Sequence, residues 1–328
     1  MLIAAALASV GLIPFQAELS FTGFEGVALK GSLVLPSKAQ KNPVVILLPG
    51  SGPTDRNGNQ PPALVTDLLK SIATDLAKAG IGTFRFDKRA AHSNSAIWPK
   101  DLSKADHFFR FESFVGDAVA AVKLVKNRPD VDPSRVGLAG HSEGGLITIC
   151  AVSQEPQLVK AIALLGTAGR SLDLVMKEQI DSILTLQGAT PDVHKQHMES
   201  LSTAIDHVKR TATTPTKVLP GLRALFGPGT AKLLQAYFTI DPVKELQNFS
   251  GPVLVLQGEM DSQISATSDF PLLVDASKRR KSGSNTSVIV EGASHNLKPV
   301  QKKSDTGFVG AVAPKALDSI VAFFKKEL

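Results

Sequence analysis

Cysteine is nearly absent from this 328-residue chain. Its one example, Cys150, cannot close an internal disulfide, and a cysteine-rich metal site is excluded as well. Cys150 falls in the apolar stretch Leu146–Ala151, where a buried, inert thiol is expected. Long apolar runs are also missing: Met1 to Phe15 carries no charge but is short of the roughly 20 residues a membrane span needs. No stable span is therefore expected in the mature chain. Internal repeats and low-complexity segments do not occur, so solenoids and arrays are excluded. Concentrated charge of one sign is scarce, since 36 Lys+Arg against 30 Asp+Glu leave a net charge of only +6. The one dense basic run, Lys278-Arg279-Arg280-Lys281, is expected to be a solvated helix end. Nucleic acid is not an expected partner.

With 43% hydrophobic residues the chain can bury a core, and its length suits one large domain or a domain carrying an insertion. Residues 1–17 resemble the hydrophobic region of a secretory signal with cleavage near Ala17. That reading places the mature protein in the periplasm or outside the cell; the alternative is a cytoplasmic protein that keeps the segment.

Short apolar runs recur from there on. Ala28–Leu35, Val44–Leu48, Gly82–Phe86, Val136–Ala139, Ala161–Leu165, Val253–Leu256 and Ser287–Val290 read as strands. Most lack polar alternation, which belongs to a parallel sheet covered on both faces. Residues 17–36 read as an antiparallel edge hairpin. Helical periods lie between the strands. Ala63–Lys78 ends at Gly80, Phe111, Phe114, Val115, Ala118, Val122 and Val125 form one buried face, and Pro314–Leu328 closes the chain. The pattern predicts an α/β fold, a doubly wound, mostly parallel sheet built from residues 18–168 and 246–328. Residues 169–245 contain helical patterns but no convincing strand, and are expected to form an inserted helical cap.

The chemistry centres on Gly140-His141-Ser142-Glu143-Gly144, which follows the strand Val136–Ala139 and opens a helix. A bare G-x-S-x-G motif is a moderate signal, but here it has the strand–turn–helix context of a nucleophile elbow. The two glycines leave room for Ser142 to project from a sharp turn. The helix N-terminus then offers free N–H groups to a developing anion. In such a fold an acid and then a histidine follow the serine in the chain. Only His295, just past the strand Ser287–Val290, lies beyond the penultimate strand. Asp261, in a turn after Val253–Leu256, is the expected acid, with Glu259 as its neighbouring rival. The oxyanion hole would take the backbone N–H of Glu143 and one from the loop Pro49–Pro53. Ser51 is the first choice there and Gly52 the second. The remaining histidines have bland readings; His194 and His197 share helical spacing but show no carboxylate partner, so no metal is expected.

Together these residues resemble the α/β-hydrolase superfamily over nearly the whole chain. The loop Gly50–Asn59 (GSGPTDRNGN), the later Asp87-Lys88-Arg89 and the pair Asp261/Gln263 narrow the resemblance. They look like a bacterial carboxylesterase branch near the dienelactone-hydrolase-like and serine-aminopeptidase-like groups. Where that branch carries a glycine-rich turn after Asp-Lys-Arg, this chain has Ala90-Ala91-His92. Asp55, Arg56 and Arg89 are expected to pin loops rather than touch substrate. The resemblance implies cofactor-free hydrolysis of a small-molecule carboxylic ester with a short to medium acyl chain. Two other readings stay open: a peptidase or amidase on the same triad, which should carry an acidic pocket residue for a free amine, and an inactive binding protein.

Overall fold

A computed structural model describes residues 15–37 and 40–328. The apolar run read as a secretory signal lies, up to residue 14, outside the described residues. Phe15 opens strand β1 (Phe15–Thr22), and Ala17 sits within that strand opposite Leu33 of β2 (Ala28–Leu35). The hairpin expected at residues 17–36 is present and antiparallel.

The remaining elements alternate as the apolar runs suggest. After β3 (Asn42–Leu48) come α1 (Leu68–Lys78), β4 (Gly82–Phe86), the short α2 (Ala105–Phe108) and α3 (Phe111–Lys126). The chain continues through β5 (Val131–His141), α4 (Glu143–Gln154) and β6 (Ala161–Leu165). Four helices follow: α5 (Leu172–Leu186), α6 (Pro191–Thr211), α7 (Ala231–Thr239) and α8 (Pro242–Leu246). Last are β7 (Val253–Gly258), α9 (Phe270–Lys278), β8 (Asn285–Val290) and α10 (Pro314–Glu327).

The eight strands form one sheet in the order β1-β2-β4-β3-β5-β6-β7-β8. Pairing is antiparallel from β1 to β4 across β2 and parallel from β4 to β8. Because β3 lies between β4 and β5, the winding direction reverses beside it. Loops leaving β3 and β5 diverge at that point, and open α/β sheets bind their ligands there.

Burial explains why the central strands lack polar alternation. Every residue of β3 is buried; Val44, Ile46 and Leu48 join one apolar cluster, while Val45 and Leu47 join the other. The first cluster carries α3, α4 and α9, and the second carries α1 and α10. Cys150 packs in the first, where burial pushes its thiol up to about 12.

Three sequence expectations need correction. The helix expected from Ala63 begins only at Leu68, because the Asn59 side chain accepts from the N–H groups of Thr66 and Asp67 and holds the preceding residues as a loop. The segment read as an insertion ends at residue 245 and takes in all of α8 except Leu246, but this helix packs against α4 and α9 of the core layer. Arg280, assigned to a solvated run, is buried; its guanidinium donates to Phe249 O at 3.1 Å, to Asn285 Oδ1 at 2.7 Å and to Gly251 O. Those carbonyls compensate the buried cation, while desolvation lowers its pKa to about 10.

Helices α5, α6 and α7 pack on one another between β6 and β7. Leu201, Ala204, Ile205 and Val208 bury one face of α6, and α7 contributes Leu234, Tyr237 and Phe238. Polar ties that fix α5 include two, Lys209 Nζ to Asp173 at 2.9 Å, and Gln179 Nε2 donating to Gln263 O at 2.7 Å. The second links α5 to the loop after β7. Among the described residues, no helix is long and apolar enough to cross a membrane.

Candidate active site

Four loops at the carboxyl ends of β3, β5, β7 and β8 carry the residues singled out above. Ser142 lies between β5 and α4 with φ 55° and ψ −118°, a conformation that costs a non-glycine residue about 1–3 kcal/mol. Packing enforces it. A Cβ on Gly140 would stand 2.0 Å from the Gly144 carbonyl oxygen, and one on Gly144 would stand 2.5 Å from that of Leu48. The turn can only be this tight with glycine at both places. Ser142 N donates to Leu165 O at 2.8 Å, which locks the elbow to β6.

Asp261 and His295 are brought into direct contact. His295 Nδ1 lies 2.7 Å from Asp261 Oδ2, and both side chains are buried. With Nδ1 donating, the neutral ring leaves Nε2 free as an acceptor. Gln257 Nε2 also donates to Asp261 Oδ2 at 2.7 Å, and the N–H groups of Gln263 and Ile264 donate to Oδ1 at 2.7 and 2.9 Å. Burial pushes the Asp261 carboxyl upward, but attraction to His295 and the donated hydrogen bonds prevail, so its pKa falls below the usual range. Glu259, the rival acid, accepts from Gly292 N at 2.8 Å at the exposed edge of the turn and does not meet His295.

Ser142 and His295 line a small cavity of about 80 Å³ together with Ser51, Gln60 and Asn296. On its other side Ser142 opens to a second cavity of about 230 Å³ roofed by α5 and α7. Ser51 belongs to both cavities, whereas Gly52 (φ 75°) lies against Gln60. Glu143 is the first residue of α4, so its N–H has no acceptor within the helix. A larger open groove of about 880 Å³ runs between the β1–β2 hairpin and α1, and it holds none of these residues.

Two supporting contacts escaped the sequence reading. His141, the first of the two variable residues of the elbow motif, donates from Nε2 to the His295 carbonyl at 2.9 Å, and its ring centroid lies 4.7 Å from that of His295. Burial, reinforced by the neighbouring His295, lowers the pKa of His141 to about 3 and keeps it neutral. Lys88 and Glu143 form a buried ion pair with 2.5 Å between Nζ and Oε2. Nothing in a linear sequence marks either contact, because each joins loops 55 or more residues apart.

The loop-pinning roles expected of the charged residues are observed. Arg56 binds Asp87 and Glu18 at 2.7 and 2.6 Å, Arg89 binds Asp117 at 2.8 Å, and Asp55 Oδ1 accepts from the N–H groups of Asn57 and Asn59. In place of a glycine-rich turn after Arg89, Asn94 Nδ2 donates to the carbonyls of Asp87 and Lys88 at 3.0 Å. On the surface, His194 pairs with Asp181 at 2.9 Å, a partner the helical spacing did not reveal. No group of three or more His, Cys, Asp or Glu among the described residues could hold a metal ion.

Comparison with known proteins agrees with this architecture. The model of the family described as serine aminopeptidase, S33, matches residues 66–298. Esterase EstD of Thermotoga maritima is 26% identical over 237 residues, covering 72% of this chain and 51% of that protein. A thiohydrolase of Arthrinium phaeospermum is 24% identical over 147 residues, covering 45% of this chain and 42% of its own length. The chain thus spans about half the length of these curated relatives. Among solved structures, Est1E from Butyrivibrio proteoclasticus has a TM-score of 0.58 at 15% identity, covering 94% of this chain and 98% of its own. A puromycin-hydrolyzing peptidase of Mycobacterium tuberculosis reaches 0.59 at 17% identity, covering 99% of this chain and 41% of its own. Dienelactone hydrolase from Anabaena variabilis reaches 0.53 at 19%, covering 96% of each chain. At these identities the structural likeness speaks to the fold alone. The eight-stranded sheet, the strained serine at its switch point and the family match lead to one assignment: the chain belongs to the serine aminopeptidase S33 family of α/β hydrolases.

Proposed function

We propose that this hydrolase is a carboxylesterase that cleaves esters with short to medium, uncharged acyl groups through an acyl-enzyme on Ser142. His295 Nε2 takes the Ser142 proton as Oγ attacks the ester carbonyl, and Asp261 stabilises the resulting imidazolium. The oxyanion is received by the N–H groups of Ser51 and Glu143, each of which typically contributes about a hundred- to thousand-fold to turnover. The alcohol leaves with the proton from His295. Water activated by the same ring then frees the acid. In this reading α5–α7 form a cap over the acyl pocket.

The lining of the 230 Å³ cavity carries the choice of ester over peptide. Leu146, Leu172, Val175, Met176, Leu234 and Phe238 make it predominantly apolar. An aminopeptidase needs a carboxylate to hold the free amine of its substrate. Among the described lining residues of both cavities the only carboxylate is Glu143, and Lys88 already neutralises it. An uncharged acyl chain fits such a wall without leaving a buried charge unpaired. The esterase reading also agrees with the 26% identity to esterase EstD.

Hydrolysis of p-nitrophenyl esters from acetate to dodecanoate should peak at short chains and vanish in Ser142→Ala. Aminoacyl p-nitroanilides should be cleaved far more slowly than the esters. Comparable rates on both would favour the peptidase, and activity surviving in Ser142→Ala would reject the nucleophile.

A further inference from the structure

Lys88 is 4% exposed and its partner Glu143 6%, so both charges have left water. Buried ion pairs are poor stabilisers: their desolvation penalty rivals their attraction, and a well-packed apolar pair often serves stability as well or better. The position of this pair is informative for that reason.

The ammonium has three neighbours. Nζ donates to Glu143 Oε2 at 2.5 Å and to the Gly50 carbonyl at 2.6 Å, and it stands 5.4 Å from the centroid of the Phe114 ring. Gly50 C=O and Ser51 N–H belong to one planar trans peptide, so they point in opposite directions. A donor that fixes the Gly50 oxygen on one side therefore fixes the direction of the Ser51 N–H on the other. A strong donor on the carbonyl also polarises the peptide and strengthens the N–H as a donor. The second bond holds the side chain of Glu143, whose own backbone supplies the other proposed oxyanion donor.

We infer that Lys88 is a positioning residue for the oxyanion hole, setting the Ser51 donor through the Gly50–Ser51 peptide plane and the Glu143 donor through its side chain. The assignment rests on the oxyanion roles proposed above for Ser51 and Glu143. One ammonium thereby links the loop after β3 to the elbow after β5, the two strands that flank the switch point. Lys88 does not touch substrate. Its effect should appear where negative charge develops on the carbonyl oxygen, not in substrate binding.

The test is the double variant Lys88→Met/Glu143→Met, which removes the pair without leaving either charge buried alone. Its folding is followed by near-ultraviolet circular dichroism and thermal unfolding. Per titrated active site, kcat on p-nitrophenyl butyrate should fall about 10- to 100-fold, approaching the loss of one oxyanion donor, with KM nearly unchanged. Affinity for a trifluoromethyl ketone, whose serine adduct carries the oxyanion, should weaken by the same factor. Amide exchange should quicken over residues 49–54 and 142–147 and stay unchanged in β6 and β7. Glu143→Gln keeps an acceptor for Lys88 and should fall between wild type and the double variant in both kcat and ketone affinity. Wild-type values of both from either folded variant would reduce the pair to a structural role and overturn the assignment. A wild type inert toward every ester and toward the ketone would sink the esterase reading and this assignment with it. An active wild type with indifferent variants sinks this assignment alone.

Discussion

Lys88 and Arg89 are adjacent in the chain just beyond β4, are both buried cations, and meet different carboxylates on opposite sides. Lys88 turns toward the sheet's carboxyl edge and binds Gly50 and Glu143 there. Arg89 turns toward the hairpin edge, where it binds Asp117 of α3 through two hydrogen bonds of 2.8 Å and the Phe108 and Phe24 carbonyls at 3.0 Å. Asp117 in turn accepts from Phe24 N at 2.8 Å. The difference lies in what each pair holds. Arg89 and Asp117 fasten the β1–β2 connection to a helix, with the planar fork matching a carboxylate bidentately. Lys88 is a compact point charge that can serve a carbonyl and a carboxylate from different loops, so it suits the positioning of backbone donors. On the positioning role inferred for Lys88, two buried charges one residue apart divide fold from chemistry.

This contrast can be broken most forcefully by Arg89→Met. Leaving Asp117 buried without its partner should destabilise the fold by about 3–5 kcal/mol, visible as an early denaturant midpoint. Turnover per titrated active site should remain that of the wild type; a large fall in kcat would erase the division drawn here.

Acid should separate the two regions next. His141, held neutral with a pKa near 3, binds fewer protons folded than unfolded, where its pKa is about 6.5. A depressed folded pKa means that its contribution is complete above about pH 6.5 and is lost progressively as the pH falls toward 3. Asp261, also depressed, adds to the loss at the acid end, below the ordinary aspartate value. Stability should therefore decline by a few kcal/mol between about pH 7 and pH 4. Amide exchange should open the loops around residues 141 and 295 before the Phe24 turn. His141→Gln should flatten this dependence, and an unchanged slope in that variant would reject His141 as its source.

Trp98→Phe gives the smallest expected change. Trp98 Nε1 donates to the Arg89 carbonyl at 2.8 Å, and loss of that bond should lower stability by about 1 kcal/mol. Turnover of the p-nitrophenyl esters proposed as substrates should not respond, and a changed acyl-chain profile would extend the site to the loop after Arg89.

Much of this molecule is local in origin and was legible as such. Ala28–Leu35, Gly82–Phe86 and Ala161–Leu165 run between the same residues in the structure as in the apolar pattern; Ala161–Leu165 is apolar throughout because both its faces are buried, whereas Ala28–Leu35 alternates buried with more exposed residues, as suits an edge hairpin. The elbow could be read because steric crowding demands glycine at 140 and 144 wherever such a turn occurs. Asp261 and His295 could be read from chain order, since each follows a strand whose carboxyl end faces the same edge. The start of α1 was misread because a side chain, Asn59, competes for the backbone N–H groups that would have extended the helix. Arg280 was misread because composition cannot tell a solvated cation from one that meets carbonyls arriving from a distant loop.

By itself, then, the sequence determined the strands and the turn chemistry, which depend on residues within a few positions of one another, and its chain order pointed to Ser142, Asp261 and His295 as candidates. Tertiary structure decided which charges leave water, which carbonyls and carboxylates they meet, and what walls the space beside Ser142. Those outcomes depend on contacts such as Lys88 to Gly50 and His141 to His295, separated by 38 and 154 residues. Only the folded sheet brings such groups within hydrogen-bonding distance, and only there, away from water, is an unpaired charge costly enough to require its partner.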